Sequence, residues 1–233
     1  MGFYSEWNKR NNDGLNTDEY ILRFIESNDE DVNLQNIKEN EEIVAAYKVL
    51  YQIPLPLFFD NLKKVNEFPI LTPQDIPCFS SLENGASRLN ELLSFSNNGL
   101  SFTEIGYQLM NSVTESAQRK YGENQSKLAA MMGLVHISNS RPNIVTATPW
   151  GNYLTSYTFN EKKDVLKKAL LRDPCIKAIL CRALNNTVQY AKIVSFLKPS
   201  TMIRRRTNVK LLINFILKDS EQEITLSKID WEV

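Results

Sequence analysis

Catalysis needs nucleophiles, acids, bases or metal ligands at spacings that let them converge, and few such groupings occur in this chain. The single histidine, His136, follows Leu134-Val135 and reads as a structural residue of a strand. One histidine excludes mechanisms that need a pair within one chain, and no Gly-x-Ser-x-Gly elbow presents a serine nucleophile. Cys78, Cys175 and Cys181 fit neither a zinc pattern nor a disulfide framework. Cys175 and Cys181, in an apolar helical stretch, read as small hydrophobes, and the compartment is expected to be reducing, hence cytoplasmic. Gln125-Ser126-Lys127 and Glu161-Lys162-Lys163 match the Gln/Glu-x-Lys half of a metal-dependent nuclease core. Both fall in helical sequence, and no strand bearing an aspartate precedes either at hairpin distance. A phosphate-binding loop of Walker type is absent. The expectation is a chain with no catalytic residues, metal or cofactor of its own.

The chemistry that is well represented is recognition of polyanions. In the stretch after Glu115, the polar positions are Gln118, Arg119, Lys120, Tyr121, Asn124, Gln125 and Lys127. Arginine and lysine suit guanine or phosphate, while Asn and Gln suit adenine or phosphate. A later stretch supplies Ser200, Thr201, Arg204, Arg205, Arg206, Asn208 and Lys210. Three consecutive arginines fan over about 200° of a helix, so one of them must grip phosphate or a group of its own chain. Arg141 and Asn143 lie in a turn that can reach a minor groove or the backbone.

The charge distribution points the same way. The chain is neutral overall, but residues 1–67 carry 7 Lys/Arg against 13 Asp/Glu, a net of −6. Residues 100–217 carry 17 against 6, a net of +11. A basic segment of that size favours phosphate, because each neutralised phosphate releases counterions. The acidic N-terminal region would repel DNA and suits a protein partner, such as a nuclease subunit. The longest apolar stretches fall well short of the ~20 residues of a membrane span, and no signal peptide is visible, so no membrane partner is expected.

The elements that must position these groups are mainly helical. Residues 18–25 have helical apolar spacing with Thr17 as N-cap, and residues 41–51 and 57–65 follow as helices around Pro54 and Pro56. Pro69, Pro73 and Pro77 mark a connector, with a short helix starting at Thr72-Pro73. Residues 84–95 form another helix, closed by the turn Asn97-Asn98-Gly99. Ser101-Phe102-Thr103-Glu104 fits a capping box, with Phe102, Ile105 and Leu109 as the buried face of the helix it opens. A break at 111–114 precedes a helix over 115–132, in which Gly122 costs about 1 kcal/mol unless a close approach needs it. Strands at 134–137 and 144–147 flank a turn. Later helices are expected over 161–171, 173–184, 188–197 and 200–217, with a short wing strand at 223–226. The fold expected is mainly α with small β wings. Two tandem winged-helix-like (helix-turn-helix) units, 82–156 and a degenerate 157–233, follow an acidic helical region over 1–81.

The run Gln118-Arg119-Lys120-Tyr121-Gly122-Glu123-Asn124-Gln125-Ser126-Lys127-Leu128-Ala129, followed by Gly133-Leu134-Val135, resembles winged-helix modules of bacterial restriction–modification and phage-defence proteins. In those modules a KYGEN-x-x-K-x-A helix precedes the wing. The stretch from Ser200-Thr201 to Arg204-Arg205-Arg206-Thr207-Asn208-Val209 is similar to the ST-x-x-RR helix that closes the module. The resemblance implies a double-stranded DNA partner and a target-recognition subunit, non-catalytic on its own, of a restriction or phage-defence system. Two alternatives accompany it: a winged-helix transcriptional regulator or replication-initiator-like protein, and a type II-like restriction endonuclease with a cryptic site in the N-terminal third.

Overall fold

The computed structural model describes residues 16–26, 37–65, 68, 70–79, 81–96, 98–110 and 114–233. Pro69, Asn97 and residues 111–113, each given a role above, lie outside the described residues. In chain order come α1 (Thr17–Glu26), α2 (Ile37–Gln52), α3 (Leu55–Leu62), a 3-10 turn (Pro73–Asp75) and a π-helical segment (Asn84–Arg88) that continues into α4 (Leu89–Ser94). Next are β1 (Leu100–Ser101), α5 (Phe102–Leu109), α6 (Glu115–Met131), β2 (Val135–Ile137), β3 (Ile144–Ala147), α7 (Pro149–Leu154) and α8 (Lys163–Leu170). The chain ends with α9 (Pro174–Asn185), β4 (Val188–Gln189), α10 (Tyr190–Ile193), α11 (Pro199–Leu217), a 3-10 helix (Glu223–Lys228) and β5 (Ile229–Asp230). The protein is mainly helical, and no helix among the described residues is long and apolar enough to cross a membrane.

These elements form two compact units. The first holds α2 and the described residues of Phe79–Leu166; the second holds α1, Ile53–Cys78 and Lys167–Val233. The region expected over 1–81 is therefore divided, because each amphipathic helix buries its apolar stripe where a matching face exists. Helix α1 buries Tyr20, Ile21, Phe24 and Ile25, and Phe24 meets Phe58 of α3 edge-on at 6.1 Å. Asn16, rather than Thr17, caps α1 by accepting from the Glu19 amide at 3.0 Å. In the first unit, Tyr47 of α2 stacks on Trp150 of α7 with ring centres 5.2 Å apart.

The first unit places its small sheet and α6 by local rules. Ser101 pairs with Ile144 through β1 and also caps α5: its hydroxyl accepts from the Glu104 amide, and Glu104 accepts from the Ser101 amide at 2.7 Å. Ile105 is the fully buried member of the expected α5 face. The three strands are antiparallel in the order β1-β3-β2, with Val135 opposite Ala147 and Leu100 opposite Val145. Helix α6 ends at Gly133, which has φ +73°. There the Gly133 amide donates to the Ala130 carbonyl and Leu134 to Ala129, the reciprocal pair of a Schellman stop that turns the chain into β2. Helices α5 and α6 touch backbone to backbone. A Cβ on Gly106 would lie 1.8 Å from the Gln118 carbonyl oxygen, and one on Gly122 would lie 1.9 Å from that of Phe102.

The second unit is built on α9, whose Cys175, Ile176, Ile179, Leu180 and Leu184 are buried. Asp173 caps it, accepting from the Ile176 amide at 2.8 Å. Two expectations fail here. Residues 188–197 are not one helix: Val188–Gln189 is a strand, and only Tyr190–Ile193 continues as a helix. The wing strand expected at 223–226 is a 3-10 helix, started by the Ser220 turn and by Glu223 accepting from the Asp219 amide at 3.2 Å. The strand pair formed instead is parallel, Val188 opposite Ile229, and cannot be a wing hairpin.

Candidate nucleic-acid interface

One side of α6 is buried and the other faces outward. Gly122, Gln125, Ser126, Leu128 and Ala129 point into the first unit, whereas Arg119, Lys120 and Lys127 are exposed at helical spacing. Gln118, Tyr121 and Asn124 are half-buried at the margins of that face. Gln125 is a correction: it is 0% exposed, so it meets no ligand, and both of its amide atoms lack a hydrogen-bond partner among the described residues. Tyr121 is tied down as well, its hydroxyl accepting from the Asn84 amide at 2.7 Å.

Glu123, overlooked as a site residue, sits between the cations. It accepts from Lys127 at 2.6 Å and from Lys120 at 3.0 Å. Burial pushes its carboxyl upward, but the two lysine hydrogen bonds outweigh that and hold it below the usual carboxylate range. The signal was legible, since Lys-x-x-Glu-x-x-x-Lys places all three on one helical stripe. Exposed pairs of this kind contribute only about 0.2–1 kcal/mol, so a phosphate can draw either lysine away.

The turn between β2 and β3 is a closed polar loop. The Asn143 amide donates to the Ser138 carbonyl at 2.7 Å, and the Ile144 amide donates to the Ser138 hydroxyl at 2.8 Å. Asn143 therefore fixes the loop rather than reaching out of it, and Arg141 is left exposed at the tip. His136 lies opposite Thr146 in the strand pair, as the structural reading expected.

In the second unit, the basic residues of α11 divide into two groups. Ser200, Arg204 and Lys210 are exposed; Thr201 and Asn208 are half-buried. Arg205 and Arg206 are corrections as DNA ligands. The Arg205 guanidinium donates to the Pro73 carbonyl at 3.1 Å and also to that of Ile76, and Arg206 donates to the Trp231 carbonyl at 2.9 Å. The fan of three arginines thus leaves one side chain for solvent, because the other two satisfy chain carbonyls inside the unit.

The charge of the 100–217 segment is likewise partly internal. Lys162, Lys168, Arg172 and Lys177 are buried. Lys177 donates to the Ile25 carbonyl at 2.9 Å, and burial pushes its ammonium pKa down. Lys162 donates to the Leu154 carbonyl at 3.4 Å and is shifted down for the same reason. Glu161 accepts from the Thr158 amide and hydroxyl, each at 2.7 Å, and that backbone hydrogen bond, with the hydroxyl's, holds its carboxyl low. Gln125 and Ser126 are buried in a helix. The Cys175 and Cys181 thiols are buried, with Cys181 Sγ 2.9 Å from the Leu62 carbonyl oxygen. Among the described residues, no group of three His, Cys, Asp or Glu side chains could hold a metal. Comparison with protein-family models, curated proteins and solved structures yields no match for this chain.

Proposed function

We propose that the chain binds double-stranded DNA through the first unit, with α6 as the recognition helix and the 138–143 turn as a wing. The observation that carries this reading is a cluster of exposed cations around the carboxylate of Glu123. Arg119, Lys120 and Lys127 stand on one side of α6, and Arg141 stands at the tip of the β2–β3 turn. The order α4, β1, α5, α6, β2, β3, with β1 against β3, supports a winged-helix arrangement. In that arrangement the second helix of the pair enters the major groove. The KYGEN-type run on α6 supports a target-recognition role in a restriction or phage-defence complex, with cleavage carried out by another chain. In a mobility-shift assay at low salt the purified chain retards a random duplex, and Arg119→Ala/Lys120→Ala weakens the shift; no retardation at low salt rejects the reading. With Mg²⁺ present the bound duplex stays intact, and cleavage abolished by Glu161→Ala would instead make the chain a nuclease.

A further inference from the structure

A groove of about 640 Å³ opens in the second unit, with Arg206, Thr207, Lys210, Asn214, Trp231 and Glu232 among its lining. Its size lies within the ~300–1,000 Å³ of small-ligand sites. Trp231 is held in place on the groove wall. Its ring packs 5.6 Å from that of the buried Tyr190, and its carbonyl accepts from Arg206. Lys210 Nζ stands 5.9 Å from the indole centre, over the ring. Lys210 is exposed and forms no ion pair among the described residues. Helix α11 carries no Asp or Glu over Pro199–Leu217, and its outward face adds Arg204.

We propose that this groove takes one nucleotide of a single-stranded DNA segment, with its base stacked on Trp231 and its phosphate on Lys210. A duplex keeps its base faces covered, whereas an unpaired base offers a π-face to a fixed aromatic ring. The ammonium that lies over the indole in the unliganded protein moves to the phosphate as the base takes its place. The Glu232 carboxylate repels phosphate, so the sugar–phosphate chain lies on the Lys210 side, with the Thr207 hydroxyl and Asn214 amide available to base edges.

This inference rests on the reading of the chain as a DNA-binding protein but uses a different surface from α6. The test is fluorescence anisotropy of labelled oligo(dC) of about 12 nucleotides, with a duplex of equal length in parallel. The full chain is compared with Trp231→Ala, Trp231→Phe and the surface variant Lys210→Glu. Trp231→Ala should weaken single-strand binding by between about 5-fold and about 150-fold, the range for loss of one stacked base. Trp231→Phe should retain most of the affinity, Lys210→Glu should lose it, and duplex binding should stay unchanged in all three. Absence of single-strand binding by the parent chain, or binding by Trp231→Ala and Lys210→Glu equal to the parent's, overturns the proposal. Loss of duplex binding in Arg119→Ala/Lys120→Ala, with single-strand binding kept, separates the two surfaces.

Discussion

Alanine in place of Gly122 should destabilise the protein, although helix propensity alone argues the opposite. In an exposed helix interior Gly→Ala gains about 1 kcal/mol. Here the new Cβ would lie 1.9 Å from the Phe102 carbonyl oxygen and 2.9 Å from the Gly106 amide nitrogen. Ordinary contacts stand near ~3.5 Å, so α5 and α6 must separate by more than about 1 Å. A gap of that size forfeits roughly a quarter to a half of each dispersion contact across it. Overpacking of this kind costs about 1–3 kcal/mol, and a rigid backbone partner puts the site at the upper end. After the propensity gain, a net loss of roughly 1–2 kcal/mol remains. Urea unfolding followed by far-UV circular dichroism measures it as a lowered midpoint at unchanged slope. Gly106→Ala should behave alike, and the double substitution should cost less than the two single losses together, since helices already parted admit a second methyl cheaply. A Gly122→Ala protein as stable as the parent would refute the close approach.

Gln125→Met should raise stability by about 1 kcal/mol, because it removes a buried amide with no partner among the described residues while keeping its volume; a lowered melting temperature would show that the amide is satisfied. Arg205→Ala should cost about 1–3 kcal/mol in urea unfolding and leave DNA affinity alone, since its guanidinium serves the Pro73 and Ile76 carbonyls; the reverse pattern would restore it as a DNA ligand. Burial pushes the Asp173 carboxyl up to about 7, above its unfolded value, outweighing the amide hydrogen bonds from Ile176 and Cys175. Its contribution to stability is therefore full below about pH 4 and is lost as the pH rises through about 7. Asp173→Asn, which keeps a capping oxygen, should be more stable than the parent by roughly 1–4 kcal/mol at pH 8 and no more stable near pH 4. Identical pH profiles of the two proteins would contradict this.

Features governed by neighbours in sequence were legible in advance. The Ser101–Glu104 capping box, the limits of α6 and the β2–β3 pair all follow from local spacing, and the propensity cost of Gly122 points to a close approach, whose other half is Gly106. Features set by distant partners were not. Nothing in the run Arg204-Arg205-Arg206 says that two of its members meet the carbonyls of Ile76 and Trp231, which lie far off in sequence. Gln125 looked polar and helical, hence exposed, but the α6 stripe that packs inward includes Gly122, Gln125, Ser126 and Ala129, so position overrode residue type. The segment 223–226 has the alternating look of a strand yet lacks a neighbour to pair with, and its amides close into 3-10 turns instead. Net charge misled for a related reason: a count along the chain includes cations such as Lys168 and Lys177 that the fold buries.

The most direct test of the DNA-binding account is the salt dependence of duplex affinity. Arg119, Lys120, Lys127 and Arg141 are the exposed cations assigned to the first unit's interface. Four phosphate contacts give a slope of log affinity against log salt near about −3.6, or a loss of roughly 100-fold or more between about 50 and 200 mM. Removing two of them in Arg119→Ala/Lys120→Ala should flatten the slope to about −1.8 and leave the urea midpoint unchanged. A slope equal to the parent's in the double variant, or parent affinity that does not respond to salt, would contradict the claim that this face meets DNA.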